Sequence, residues 1–148
     1  MKTLLNLLIV VLSLTTIWIC YAIPDHKVYA AGEVDFGNSV NMFGLIFGTI
    51  CILKHLGTLS DKNSDSSSIL SSSVLVFFVF ILNWILILIG FTVDTSSMLS
   101  NAAGKVQEMG IEIKAVSTNG AYYPIAISAL NILLSYLRGT FESNSEAE

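Results

Sequence analysis

The sequence predicts an all-α, polytopic membrane protein: three transmembrane helices plus an N-terminal segment that is a signal peptide or a fourth helix. Three observations predict this class. Apolar residues make up 53% of the 148-residue chain and charged residues only 12%, about half the charged share of a soluble domain. The apolar residues are clumped into four nearly chargeless blocks, Leu4–Ile23, Val40–Leu56, Val74–Val93 and Ala121–Leu137. As helices, blocks of that length cross most or all of a hydrocarbon layer about 30 Å thick. The separators, by contrast, are rich in serine, asparagine and charge. The net charge of −4 argues against nucleic-acid binding, which needs a basic face.

Block one follows Met1-Lys2-Thr3 and leads into "YAIPDHKVYAAG". A lysine, a long apolar run and two alanine-terminated triplets, Cys20-Tyr21-Ala22 and Val28-Tyr29-Ala30, read as a secretory signal cleaved near residue 22 or 30. The apolar run is also long enough to span, so residues 1–30 are a signal peptide or a first transmembrane helix. Residues 24–39 read as a polar connection. The remaining spans fall at about 40–56, 70–93 and 121–137, inside a membrane domain of residues 31–138. The serine-rich 57–69 segment reads as a loop. In 94–120, Leu99, Ala102, Val106, Met109 and Ile113 recur at helical spacing, which predicts an external amphipathic helix, closed by a turn at Thr118-Asn119-Gly120. Residues 139–148 read as an acidic tail.

Lysine and arginine set the orientation. Lys2, Lys54, Lys62 and Arg138 fall on one side, and Lys27, Lys105 and Lys114 on the other. That bias puts the C-terminus in the cytoplasm.

Block two carries Gly44 and Gly48 inside an apolar run. Steps of four and three keep residues on one helical stripe. Block two then shows Gly37, Asn41, Gly44, Gly48, Cys51 and His55 on one face, all small or polar, with phenylalanine, leucine and isoleucine elsewhere. Block four repeats the pattern with Pro124, Ser128, Asn131, Ser135 and Arg138. Block three holds Asn83, with Gly90 two turns later on the same side. In lipid, apolar side chains gain nothing by burial, and helices associate through close backbone approach and interhelical hydrogen bonds. Asn41, Gly44, Gly48, Asn83, Gly90, Ser128, Asn131 and Ser135 are therefore expected at helix-packing seams. Those seams lie within one chain, or against other membrane subunits or a second copy, or the stripes line a conducting polar pathway. Lys54, His55 and Arg138, at the ends of two blocks, are expected as membrane-interface anchors that snorkel toward headgroups.

No catalytic, cofactor-binding or metal site is expected. The histidines His26 and His55 stand apart in the sequence, and the block-four serines have no acid or histidine in their own span to activate them. The expected surroundings are the lipid bilayer and other membrane subunits.

The span ending "ILKHLG" (Lys54, His55, Gly57) and the final span ending "ILLSYLRGTF" (Leu137, Arg138, Gly139) resemble small IcmC/DotE-type, TraQ-like inner-membrane proteins of type IVB secretion and conjugation systems. The resemblance implies a non-catalytic subunit of a cell-envelope machine in a bacterial inner membrane, with no catalytic residues to carry over. The alternatives are a small holin-like pore former, against which the glutamates of the tail count, and a tetraspan scaffold that keeps block one.

Overall fold

In the computed structural model, residues 2–30, 34–61, 64–89 and 113–146 are described. They form helix α1 (Lys2–Ala22), strands β1 (His26–Ala30) and β2 (Val34–Ser39), helices α2 (Met42–Ser60) and α3 (Ser66–Leu88), strand β3 (Ile113–Ser117) and helix α4 (Asn119–Glu146). The chain is mostly helical. All four helices contain a stretch long and apolar enough to cross a membrane: Thr3–Ala22, Met42–Ser60, Ser66–Leu88 and Asn119–Phe141.

The helices pack in a ring, α1 on α2, α2 on α3, α3 on α4 and α4 on α1. The paired strands β1 and β2 lie between α1 and α2 at one end of the bundle, and α2 ends and α3 begins at the other, so neighbours run antiparallel. The strands cap the first end as an antiparallel sheet of order β2-β1-β3. In β1, His26 faces Ser39 and Ser117, and Ala30 faces Val34 and Ile113. Successive strand residues alternate faces, which turns His26 and Val28 inward, where both are buried.

Several local expectations give way. Residues 24–39, read as a connection, contain two strands. Ile113, read as the end of an amphipathic helix, begins β3 instead, because Ile113–Ser117 pairs with β1. The turn at 118–120 is the start of α4, and α4 runs on to Glu146 through most of the expected tail. Within the segment read as a serine-rich loop, α2 runs on to Ser60 and α3 begins at Ser66. Asp65 caps α3 by accepting the Ser68 amide at 2.9 Å, and serines from Ser66 onward are helical. Serine is tolerated inside a helix when its hydroxyl bonds the carbonyl one turn back, and Ser73 donates to the Ile69 carbonyl at 2.8 Å. Gly90 and residues 94–112 lie outside the described residues.

Two small apolar clusters occupy the interior. Ile9, Leu59 and Ile69 sit toward the termini. Ile52, Val76 and Phe80 sit nearer the cap. The larger apolar surface faces outward: Leu14, Ile50, Leu53, Phe78, Leu82 and Leu133 are all exposed.

Candidate functional site: a polar interior beneath a strand cap

Every helix contributes polar side chains to the inside of the ring. Ser13 and Thr16 of α1, His55 of α2, Ser72, Ser73 and Asn83 of α3, and Ser128, Asn131, Ser135 and Arg138 of α4 are all buried. Most of their partners lie on other helices. Asn131 Nδ2 donates to Ser13 Oγ at 3.3 Å, joining α4 to α1. Ser73 Oγ and Ser135 Oγ are 2.9 Å apart and join α3 to α4. His55 Nδ1 and Ser72 Oγ, at 2.8 Å, join α2 to α3. Because Ser72 Oγ also donates to the Ile69 carbonyl at 2.8 Å, it accepts from His55, which places the proton on Nδ1. At the end away from the cap, Arg138 Nε donates to Asn6 Oδ1 at 2.8 Å and Nη1 to Ser66 Oγ at 3.4 Å. One guanidinium thus joins α1, α3 and α4.

The densest node lies under the cap, at Asp25. Its carboxylate Oδ1 is 2.6 Å from His26 Nδ1 and accepts the Asn41 amide at 3.0 Å. Its Oδ2 accepts Asn83 Nδ2 at 3.1 Å. Its main chain donates to the Ser39 carbonyl and accepts from the Thr118 amide. Asn41 is the N-cap of α2, so the carboxylate also sits where the helix dipole favours negative charge. A single residue therefore ties β1 to the end of β2, to β3's exit and to two helices. Burying a carboxylate costs free energy unless hydrogen bonds replace its water, and here three donors do so.

The glycines explain how α3 comes so close to α2. A Cβ on Gly44 would lie 2.5 Å from Asn83 Cγ, and a Cβ on Gly48 would lie 2.7 Å from the Phe80 ring. Real side chains do not approach that closely, so only glycine allows Asn83 to reach Asp25 past α2.

Of the residues expected at seams, Asn41, Gly44, Gly48, Asn83, Ser128, Asn131 and Ser135 are placed inside the ring, with their contacts in the same chain. Ile52, rather than Cys51, continues the buried face of α2. Gly37 belongs to β2. The expected anchors divide. Lys54 is exposed. His55 is 1% exposed and Arg138 5%, so neither snorkels outward: His55 Nδ1 meets Ser72, and the Arg138 guanidinium meets Asn6 and Ser66.

Sequence reasoning missed Asp25, His26, Ser72, Ser73 and the polar face of α1. For α1 the signal was present. Asn6, Ser13, Thr16 and Cys20 lie at steps of seven, three and four, the same stripe logic that singled out blocks two and four.

No family model, curated protein or solved structure matches this chain, so its role is argued from its own residues.

Proposed function

We propose that the chain is a non-catalytic, four-span membrane scaffold that serves as a subunit of a cell-envelope machine. The observation that carries this reading is the inverted distribution of side chains: hydroxyls, amides, an imidazole and a guanidinium inside, leucines and isoleucines outside, on all four helices. Water-soluble bundles do the opposite. Exposed Trp18, Tyr21, Tyr122 and Tyr123 gather near the strand cap, where aromatic belts sit at a membrane–water boundary.

Helix α1 supplies half-buried Asn6 and buried Ser13 as partners for Arg138 and Asn131. Its removal would take away the Asn6 acceptor of Arg138 and the Ser13 acceptor of Asn131, at a cost of about 1–3 kcal/mol for each lost bond. That supports a retained first span over a cleaved signal peptide. An even number of spans places both termini on one face, cytoplasmic by the lysine and arginine bias, with the strand cap opposite.

Each polar stripe finds hydrogen-bond partners on other elements of the same chain, which favours a self-contained scaffold over helices that need a second copy. Partner contacts then fall on the cap and the lipid-facing surface. The narrower role, a type IVB-like secretion or conjugation subunit, rests on the resemblance at Lys54-His55 and Leu137-Arg138-Gly139.

The test is a chain tagged at both ends, crosslinked in cells and purified in mild detergent. The proposal expects both tags on one polypeptide and envelope-complex partners in the eluate. A chain lacking its N-terminal tag, or one purified alone, would contradict it.

A further inference from the structure

Beneath the cap, where α1 ends and α4 begins, lies a cavity of about 10 Å3. Cys20, Asp25, Gly44, Asn83, Gly120 and Pro124 line it. Its volume suits a single occupant no larger than a water molecule. Asn83 is buried, and its Oδ1 has no hydrogen-bond partner among the described residues; Nδ2 is the atom that meets Asp25 Oδ2. The Asp25 carboxylate takes two of its three bonds on Oδ1 and one on Oδ2, so Oδ2 keeps a lone pair to offer.

The two prolines of the chain enlarge this set of acceptors. A helical carbonyl bonds the amide four residues on, and proline has no N–H to give. Pro24 thus denies a donor to the Cys20 carbonyl in the last turn of α1, and the next amide, that of Asp25, goes to the Ser39 carbonyl. Pro124, inside α4, denies one to the Gly120 carbonyl. The two interrupted helix ends meet, since a Cβ on Gly120 would collide with the Pro24 carbonyl.

The cavity therefore gathers a carboxylate, a side-chain amide oxygen and the carbonyls of two residues that lack their helical donors. A water has only two protons to share among them. A hard cation serves all four, and carbonyls of interrupted helices coordinate alkali ions in this way. The C-terminal dipole of α1 adds negative potential. One carboxylate matches one positive charge, whereas calcium takes about six to eight oxygens, several of them from carboxylates. The small volume excludes the larger potassium ion.

We propose that this cavity binds one dehydrated sodium ion, held by Asp25 Oδ2, Asn83 Oδ1 and the carbonyls of Cys20 and Gly120. The ion ties the end of α1 to α3 and to the start of α4, at the node that already carries the cap.

The experiment is equilibrium binding of radiolabelled sodium to the purified full chain in mild detergent, together with thermal unfolding in sodium, potassium and choline chloride at equal ionic strength. About one sodium should bind per chain, displaced by unlabelled sodium but not by potassium or calcium, and the melting temperature should rise with sodium alone. Asp25→Asn should abolish binding, but it also removes the charge that organises the cap. The decisive variant is Pro124→Ala, which returns an amide to the Gly120 carbonyl and favours the helix. It should fold as the wild type does, yet bind sodium about ten-fold more weakly. A folded chain that takes up no sodium, equal protection by the three salts, displacement by potassium or calcium, or wild-type sodium affinity in Pro124→Ala would overturn the site.

Discussion

Replacing Gly44 with alanine should break the node at Asp25, although alanine is the better helix former. The added methyl would sit 2.5 Å from Asn83 Cγ, against an ordinary contact of about 3.5 Å or more. Asn83 must therefore move by about 1 Å, which stretches its 3.1 Å bond to Asp25 beyond hydrogen-bonding range. A lost hydrogen bond to a charged group costs about 1.5–3 kcal/mol, and overpacking adds about 1–3. The helix-propensity gain of about 1 kcal/mol offsets part of this. The net expectation is a loss of about 3 kcal/mol, or a melting temperature lower by about 10 °C for a chain of this size, followed by fluorescence-detected unfolding in detergent. The decisive variant is the double mutant. Asn83→Ala removes the three atoms nearest to that methyl, so Gly44→Ala should cost far less in its presence. Gly57→Ala, where a methyl would meet nothing within 4 Å, should likewise be harmless. If the two costs at Gly44 and Asn83 simply add, close approach is not the reason for the glycine.

Other expectations follow from the same contacts. Asn6→Ala leaves Arg138 Nε without its α1 acceptor and should cost about 1–3 kcal/mol, whereas Leu7→Ala on the exposed face should cost far less; equal melting temperatures for the two variants would show that α1 is not keyed to α4. Gly48→Leu drives a side chain into Phe80, inside the apolar cluster, and should yield aggregate on size exclusion rather than a monomer that merely fails to assemble; a monomer peak with wild-type melting would contradict this. Asp65, at the start of α3, gives the fold a pH dependence. Its folded pKa lies below its unfolded value near 4, so the cap contributes fully above about pH 4 and is lost as pH falls through the folded value. Asp65→Asn should flatten the acid side of the stability profile, and an unchanged profile would deny the cap its role.

Much of the helical architecture is legible in the sequence because it rests on local signals. Long runs such as "VLVFFVFILNWILILIG" can bury their backbone groups in lipid only as a helix. The stripes through Gly44 and Asn131 follow from helical periodicity alone. The strands were not legible. "HKVYA" and "IKAVS" are five-residue segments separated by more than eighty positions, and their pairing depends on where α1 and α4 bring them. His55 and Arg138 were misplaced for a related reason. Position near the end of an apolar block is a sequence property, but whether a side chain turns outward depends on acceptors such as Asn6 and Ser72 on other helices. Asp25 looked like an ordinary linker acid until Asn41 and Asn83 converged on it.

A membrane-spanning bundle requires lipid, not water, over its outer face. Power-saturation EPR on single nitroxides at Leu14, Ile50, Leu82 and Leu130, all exposed, tests it in reconstituted vesicles with Cys20 and Cys51 replaced. Each site should be accessible to oxygen and shielded from a water-soluble nickel chelate, while a nitroxide at Ser128 should be shielded from both. Sites on the outer face that the nickel reagent reaches more readily than oxygen would show that water surrounds the helices.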